Sequence, residues 1–215
     1  MKVTINNKKI EVDENTILED VIKKHFKEKN IVAANVDDAL RDLSDSVINN
    51  STIELITSDE KDGLDILRHT CAHIFGHAIK QIYPDVKMVI GPVIENGFYY
   101  DILSKTPITE KELLLIENRM RKLAKKNYSI EREVVSKEKA ISIFKERKEP
   151  YKVELLKEIS EKEIIAIYHH EEYMDMCRGP HLTNTKHIKA FKLMKTSGSY
   201  WKGNSENQAL TRIYG

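Results

Sequence analysis

The sequence predicts an α+β protein of two units: a small mixed sheet with one helix, then a larger part whose helices pack on a largely antiparallel sheet. Three observations carry this. Residues 1–60 alternate apolar and polar positions over short runs, the period of half-buried strands. The polar stretch Ser58-Asp-Glu-Lys-Asp-Gly63 then breaks the pattern. Beyond it, a segment reaching about Tyr83 and another over Thr109 to Lys126 repeat apolar residues at helical spacing.

In the first unit, Val3 and Ile5, then Ile10 and Val12, read as two strands of a hairpin turned at Asn6-Asn7-Lys8. Thr16 to Glu19 has the form of a capping box, opening a helix on Leu18, Val21 and Ile22. Ile31 to Val36, a short segment around Leu43 and Val47, and a strand Thr52 to Ile56 follow. This is the order of a β-grasp, ubiquitin-like fold. The unit holds no nucleophile, metal cluster or glycine loop, which favours binding or positioning over catalysis.

The second unit, residues 61–215, opens with a helix bearing Ile66, Leu67, Ile74, Ile79 and Ile82, stopped by Pro84. Val86 to Val93 and Gly97 to Ile102 read as strands around a turn at Glu95-Asn96-Gly97. Thr109 to Lys126 is an amphipathic helix with Leu113, Ile116, Met120 and Leu123 as its stripe. Val134 to Lys148 contains another helix, closed before Pro150, and the remainder, with Ile164 to Tyr168, Tyr173 and Phe191 to Met194, reads as strand.

A chain of 215 residues with 40% hydrophobic content can bury a sizeable core. It has no run of about 18 apolar residues and no apolar leader after Met1, so neither a membrane span nor export is expected and the cytoplasm is the expected location. Two cysteines, Cys71 and Cys177, form no disulfide framework. The net charge of +1 conceals a balance of −5 in residues 1–60 and +6 in the rest, so the second unit is the better candidate if a polyanion binds. Arg119, Arg121, Lys122, Lys125 and Lys126 form one basic stretch, and Lys189, Lys192, Lys195, Lys202 and Arg212 run through the end of the chain with Tyr200 and Trp201 among them.

Site chemistry concentrates in two clusters. His69 and His73, four residues apart on the first long helix, share a face at roughly 5–6 Å between Cβ atoms, and His77 continues the row. Cys177 and His181 flank Gly179 and Pro180, which require a turn there. Three chemistries remain open on these residues. Three imidazoles and a thiol suit tetrahedral zinc; the imidazoles suit metal-free hydrolysis, with Lys152, Glu171, Glu172 and Asp175 supplying charge and orientation; and Cys177 beside a histidine is the pairing of a thiol nucleophile, without separate support. The plain alternative, histidines filling a helix face, fits one such residue better than it fits this cluster. Cys71 lies two residues from His69, towards the opposite face, where it reads as a small buried hydrophobe.

The stretches LRHTCAHIFGHAIKQ, IGPVIENGFYYD, YKVELL, HHEEYMDMCRGPH and FKLMKTSGSYWKGNSENQALTRIYG resemble the N-terminal region of the bacterial threonyl-tRNA synthetase family. The resemblance runs through the chain, by long motifs in the second unit and mostly by pattern in the first. It implies a TGS β-grasp domain over residues 1–60 and an editing domain, the second additional domain of threonyl- and alanyl-tRNA synthetases, over 61–215. The implied activity is post-transfer editing, hydrolysis of the ester of serine mischarged onto tRNA(Thr). Serine lacks one methyl of threonine, and a pocket rejects such a substrate by only about 1–3 kcal/mol, so a second sieve is needed.

By the same resemblance His69, His73, Cys177 and His181 line the seryl pocket with Lys152 and Asp175 beside them. His69 and Lys152 are expected to position and activate the water, Asp175 to hold the substrate amine or its neighbour, and Gly91, Pro92 and Tyr100 to border the terminal adenosine, with Tyr100 either a stacking face for the base or a plain core aromatic. The threonyl family works without bound metal, whereas the alanyl relative holds zinc on the matching quartet, so no cofactor is expected and zinc on His69, His73, Cys177 and His181 is the exception to test. Ile213-Tyr214-Gly215 falls where that family's aminoacylation domain would begin, so this chain is not expected to charge tRNA. It is expected to be a monomer, as against a homodimer for a full-length synthetase. A free-standing trans-editing deacylase and a non-catalytic tRNA-binding module are the alternatives.

Overall fold

The computed structural model describes all 215 residues. The chain begins with a hairpin of β1 (Lys2–Ile5) and β2 (Lys8–Glu11), turned at Asn6 and Asn7, whose φ angles of 45° and 66° suit the tight turn that matches strand twist. Helix α1 (Leu18–His25) follows, then β3 (Ile31–Val36), β4 (Ala39–Arg41) and β5 (Thr52–Thr57). The five strands make one mixed sheet in the order β2-β1-β5-β3-β4, with β1 and β5 parallel and the other neighbours antiparallel. The capping box expected at Thr16 is absent. Ile17 is the N-cap, and the Thr16 hydroxyl donates instead to the Asp13 carbonyl at 2.9 Å, because the side chain turns back into the preceding loop. Strand β4 has no counterpart in the sequence reading, and Leu43 and Val47 are buried in the loop before β5.

Helix α2 (Lys61–Ile82) is the spine of the rest, and every residue from Thr70 to Ile79 is buried. It starts against the first sheet: a Cβ on Gly63 would lie 1.9 Å from the Thr57 carbonyl oxygen, so only glycine lets the helix begin there. Strands β6 (Lys87–Met88), β7 (Val93–Ile94) and β8 (Gly97–Leu103) replace the two expected, the first being interrupted at Gly91-Pro92. Helix α3 (Glu110–Ala124) carries a complete Thr109/Glu112 capping box. Then come β9 (Glu131–Val135), α4 (Lys137–Glu146), α5 (Pro150–Glu158), β10 (Ile165–His170), β11 (Tyr173–Cys177), β12 (Lys195–Tyr200) and β13 (Ala209–Tyr214). Helix α5 is the main departure from expectation. Pro150 opens it at the first helical position, where a missing N–H costs nothing, rather than marking a break. Val134 belongs to β9 rather than to a helix, and Phe191–Met194 is irregular, with pairing beginning at Lys195.

Two antiparallel sheets, β11-β10-β9 and β12-β13-β8-β6 with β7 on β8, complete an α+β architecture of five helices. One cluster of 28 buried residues fills the space around α2, α3 and β8, and it includes Val32, Ala33 and Ile56 of the first sheet. The opposite face of that sheet closes on α1 through a separate cluster of 12. Hence β3 is buried on both faces and reads as a nearly unbroken apolar run, Ile31 to Ala34. The polar stretch near residue 60 is a break in sequence pattern, while the packing is continuous across it. No helix is long and apolar enough to cross a membrane.

Candidate functional site

Helix α2 and the turn after β11 meet at the quartet that the two sequence clusters single out. The spacing of four on α2 sets the His69 and His73 rings 5.3 Å apart. Strand β11 then delivers Cys177, and the chain reverses through Gly179 at φ 67°, where a Cβ would fall 1.9 Å from the Tyr168 hydroxyl. The reversal drops His181 between the other two imidazoles, 4.2 Å from the His69 ring and 4.1 Å from that of His73. One ligand atom from each of His69, His73, Cys177 and His181 lies within 4.8 Å of the others. His73 and His181 are buried; His69 and Cys177 are half-buried and form the open side.

The orientation of His181 follows from its neighbours. Thr70 is fully buried on α2, and its hydroxyl donates to the Ile66 carbonyl at 2.9 Å. The same oxygen accepts from the Leu182 N–H at 3.1 Å and stands 3.0 Å from His181 Nδ1. With its proton committed, the threonine oxygen accepts the Nδ1–H of His181, which leaves Nε2 as a lone pair towards Cys177 Sγ at 3.0 Å. The thiol therefore donates to His181.

Beside the quartet sits a buried ion pair, Lys152 Nζ to Asp175 Oδ1 at 2.5 Å. Lys152 comes from α5 and Asp175 from β11. Oδ1 also accepts the Met176 N–H at 2.8 Å, and Oδ2 accepts the hydroxyls of Tyr100 and, at 3.3 Å, Tyr173. These four donors fill the four lone-pair positions of a carboxylate. Asp175 is thus an anchor for Lys152, with no position left for the substrate amine it was expected to hold. The expected stacking face of Tyr100 is likewise closed. The ring is 1% exposed, Phe75 is 5.6 Å away, and a Cβ on Gly91 would come within 2.4 Å of it. Gly91 is needed for that packing, while Pro92 next to it is exposed.

Burial sets the protonation of the site. It lowers the His69 pKa to about 4, against the opposing pull of Asp175, and takes His73 and His181 well below the ordinary range for the same reason. All three imidazoles are neutral at pH 7. The Cys177 thiol is pushed far up by burial and keeps its proton. Burial alone would raise the pKa of Asp175, but Lys152, together with His73 and the Tyr100 hydroxyl, overcomes it and holds the carboxyl below its ordinary range.

His77 does not join the quartet. Each residue of a helix turns 100°, so the eighth along has rotated about 80° from the first. Its Nε2 is 2.8 Å from Glu172 and its ring stacks on Tyr173. Glu172 serves His77, and Glu171 is exposed in the β10–β11 turn at φ 56°, so neither carboxylate orients the quartet. Cys71 is buried in the main core, with burial raising its pKa to about 12. Much of the basic surface is also engaged: Arg121 binds Glu117 and the Phe191 carbonyl, and Arg212 binds Asp101 through two nitrogens. Thr70 went unread in the sequence and Tyr173 was read only as strand, although Thr70 stands between His69 and His73 and Tyr173 two residues before Asp175. A hollow of about 660 Å³ lined by Lys87, Lys145, Lys148 and Lys157 lies away from the quartet.

The four donors could hold a metal ion. A tetrahedral zinc with bonds of about 2.0–2.3 Å sets its ligand atoms about 3.3–3.8 Å apart. The quartet, within 4.8 Å, needs small side-chain shifts and the loss of the Cys177 proton.

Residues 165–214 match the profile of the threonyl and alanyl tRNA synthetase second additional domain, the stretch that supplies Asp175, Cys177 and His181. That stretch is therefore similar to part of a domain found in threonyl and alanyl tRNA synthetases. It is 54% identical over 187 residues to a threonine--tRNA ligase of Prochlorococcus marinus (strain MIT 9301) and 50% identical over 187 residues to that of Psychrobacter cryohalolentis, in each case 87% of this chain and 29% of the relative. The chain is thus homologous to threonyl-tRNA synthetases, and it spans about 29% of the length of the curated relatives it matches.

Proposed function

We propose that this chain is the editing part of a threonyl-tRNA synthetase, hydrolysing the ester that links serine to tRNA(Thr), without a metal, in the cytoplasm. In this reading residues 1–60 are a TGS β-grasp domain and residues 61–215 the editing domain. The observation that carries the proposal is the convergence of His69, His73, Cys177 and His181 within 4.8 Å, beside the Lys152–Asp175 pair.

Neutral His69 at the open side takes the proton of a water as it attacks the seryl carbonyl. The Lys152 ammonium, fixed by Asp175, stabilises the developing oxyanion. The proton on His69 then passes to the leaving ribose oxygen, freeing serine. In this reading the packed rings of His73 and His181 and the Cys177 thiol are the floor that receives the hydroxymethyl group and excludes the extra methyl of threonine. Gly91 and Pro92 border the terminal adenosine. Were zinc bound, three of His69, His73, Cys177 and His181 would hold it, and the open fourth position would let it supply an activated water.

The test is His69→Ala. The proposal expects serine release from Ser-tRNA(Thr) to fall at least a hundredfold, on the scale of a lost general base, with tRNA affinity unchanged. Undiminished hydrolysis would remove His69 from the mechanism, and unchanged binding by a wild-type chain without hydrolysis would make it a tRNA-binding module.

A further inference from the structure

We infer that Asp42, in the loop after β4, is a positioning residue for the His181 arm of the site, so that the amino-terminal unit sets the geometry on which hydrolysis depends. The inference rests on the proposed editing reading for its kinetic consequence and on geometry alone for the rest.

Asp42 is the one buried charged residue among residues 1–60. Both of its carboxylate oxygens serve the second unit. Oδ1 accepts the His181 backbone N–H at 2.9 Å across 139 residues of sequence, and Oδ2 accepts the Tyr168 hydroxyl at 2.7 Å. Arg132 of β9 lies 3.8 Å from Oδ2 and donates to Asp45 at 2.6 Å, balancing the charge. Thr183, just beyond the turn, adds a bond to Glu19 of α1 at 3.1 Å.

His181 is consequently held from two sides. Thr70 of α2 fixes the ring, and Asp42 fixes the main chain that carries it. Tyr168 links the two restraints: its hydroxyl binds Asp42, lies under Gly179 in the reversal, and its ring is 4.4 Å from that of His181. Removing the carboxylate leaves a buried N–H and a buried hydroxyl without an acceptor in the turn that aims Nε2 at Cys177. The shared core through Val32, Ala33 and Ile56 keeps the carboxylate in register with that turn. A unit with no reactive group of its own thereby controls a group in the site.

The experiment compares wild type, Asp42→Ala, Asp42→Asn and Asp42→Glu in the full 215-residue chain, by histidine side-chain ¹⁵N–¹H NMR and by steady-state serine release from Ser-tRNA(Thr). Asp42→Ala should shift or split the His181 ring signals, leave those of His170 in place, and lower kcat by about 10–100-fold, the scale of an ångström of misplacement, with KM within about twofold. Asp42→Asn, whose amide oxygen can accept the same N–H, should recover kcat to within about threefold. Asp42→Glu keeps the charge and lengthens the arm by one methylene, and it should show the same loss confined to kcat, which decides the matter should the alanine variant not fold. Unchanged His181 signals in folded Asp42→Ala or Asp42→Glu, or no recovery in Asp42→Asn, overturn the inference. If the wild type releases no serine, the editing reading fails, and the NMR comparison still decides whether Asp42 positions His181.

Discussion

Asp175→Asn removes one charge from the centre of the molecule and almost no volume. The amide oxygen can still accept from Lys152 and Met176, and the amide nitrogen can face the hydroxyls of Tyr100 and Tyr173. What remains is an ammonium on a side chain 5% exposed, without its counter-charge. Breaking a buried pair from one side costs about 3–5 kcal/mol. A ceiling comes from titration: an unpaired ammonium can escape by giving up its proton, and from an ordinary lysine value of about 10.4 that costs about 4.6 kcal/mol at pH 7 and about 1.9 at pH 9. The folded variant then holds one proton fewer than the unfolded chain, so its stability rises with pH over this range. Urea unfolding of wild type and variant should give a difference of about 3–4.6 kcal/mol at pH 7, shrinking below about 2 at pH 9. A difference under about 1 kcal/mol at pH 7, or one that does not shrink at pH 9, would refute the view that Asp175 exists to anchor a buried charge.

Thr70→Val keeps the shape but strips the acceptor from His181 Nδ1–H and Leu182 N–H, so urea unfolding should show a loss of about 2–4 kcal/mol and histidine NMR a change in the His181 tautomer from Nδ1–H. Gly76→Ala should cost about 1–3 kcal/mol through overpacking, read as a lowered Tm, because the new methyl would stand 2.1 Å from the Tyr173 hydroxyl. The depressed histidine pKa values fix an acid trend. The folded state refuses protons that the unfolded chain accepts, so stability is fully present above pH 6.5 and declines as pH falls towards about 4, the value for His69; thermal melts at pH 8 and pH 5 should show the lower Tm at pH 5.

The sequence made legible what depends on spacing along one element. The face shared by His69 and His73, the stop at Pro84 and the turn forced by Gly179 follow from helical geometry and from glycine and proline alone. It did not reveal what depends on two elements meeting. Asp42 lies between Arg41 and Leu43, neighbours that give no sign that both its oxygens point into another part of the chain. Asp175 looked available to a substrate because its four donors come from α5, β8 and β11. Helix α5, which carries Lys152, was hidden by reading Pro150 as a terminator when proline is equally suited to a helix start. Tyr100 was ambiguous between stacking platform and core, and the closeness of Gly91 resolves it as core.

The most direct test of the whole account is serine release by the purified chain from Ser-tRNA(Thr), against Thr-tRNA(Thr), with and without a chelator. The account predicts rapid release of serine, little release of threonine and no effect of the chelator. Equal hydrolysis of both esters would contradict the methyl-excluding floor, loss of activity on chelation would return the quartet to zinc, and no hydrolysis of either would contradict the assignment of an editing activity to this chain.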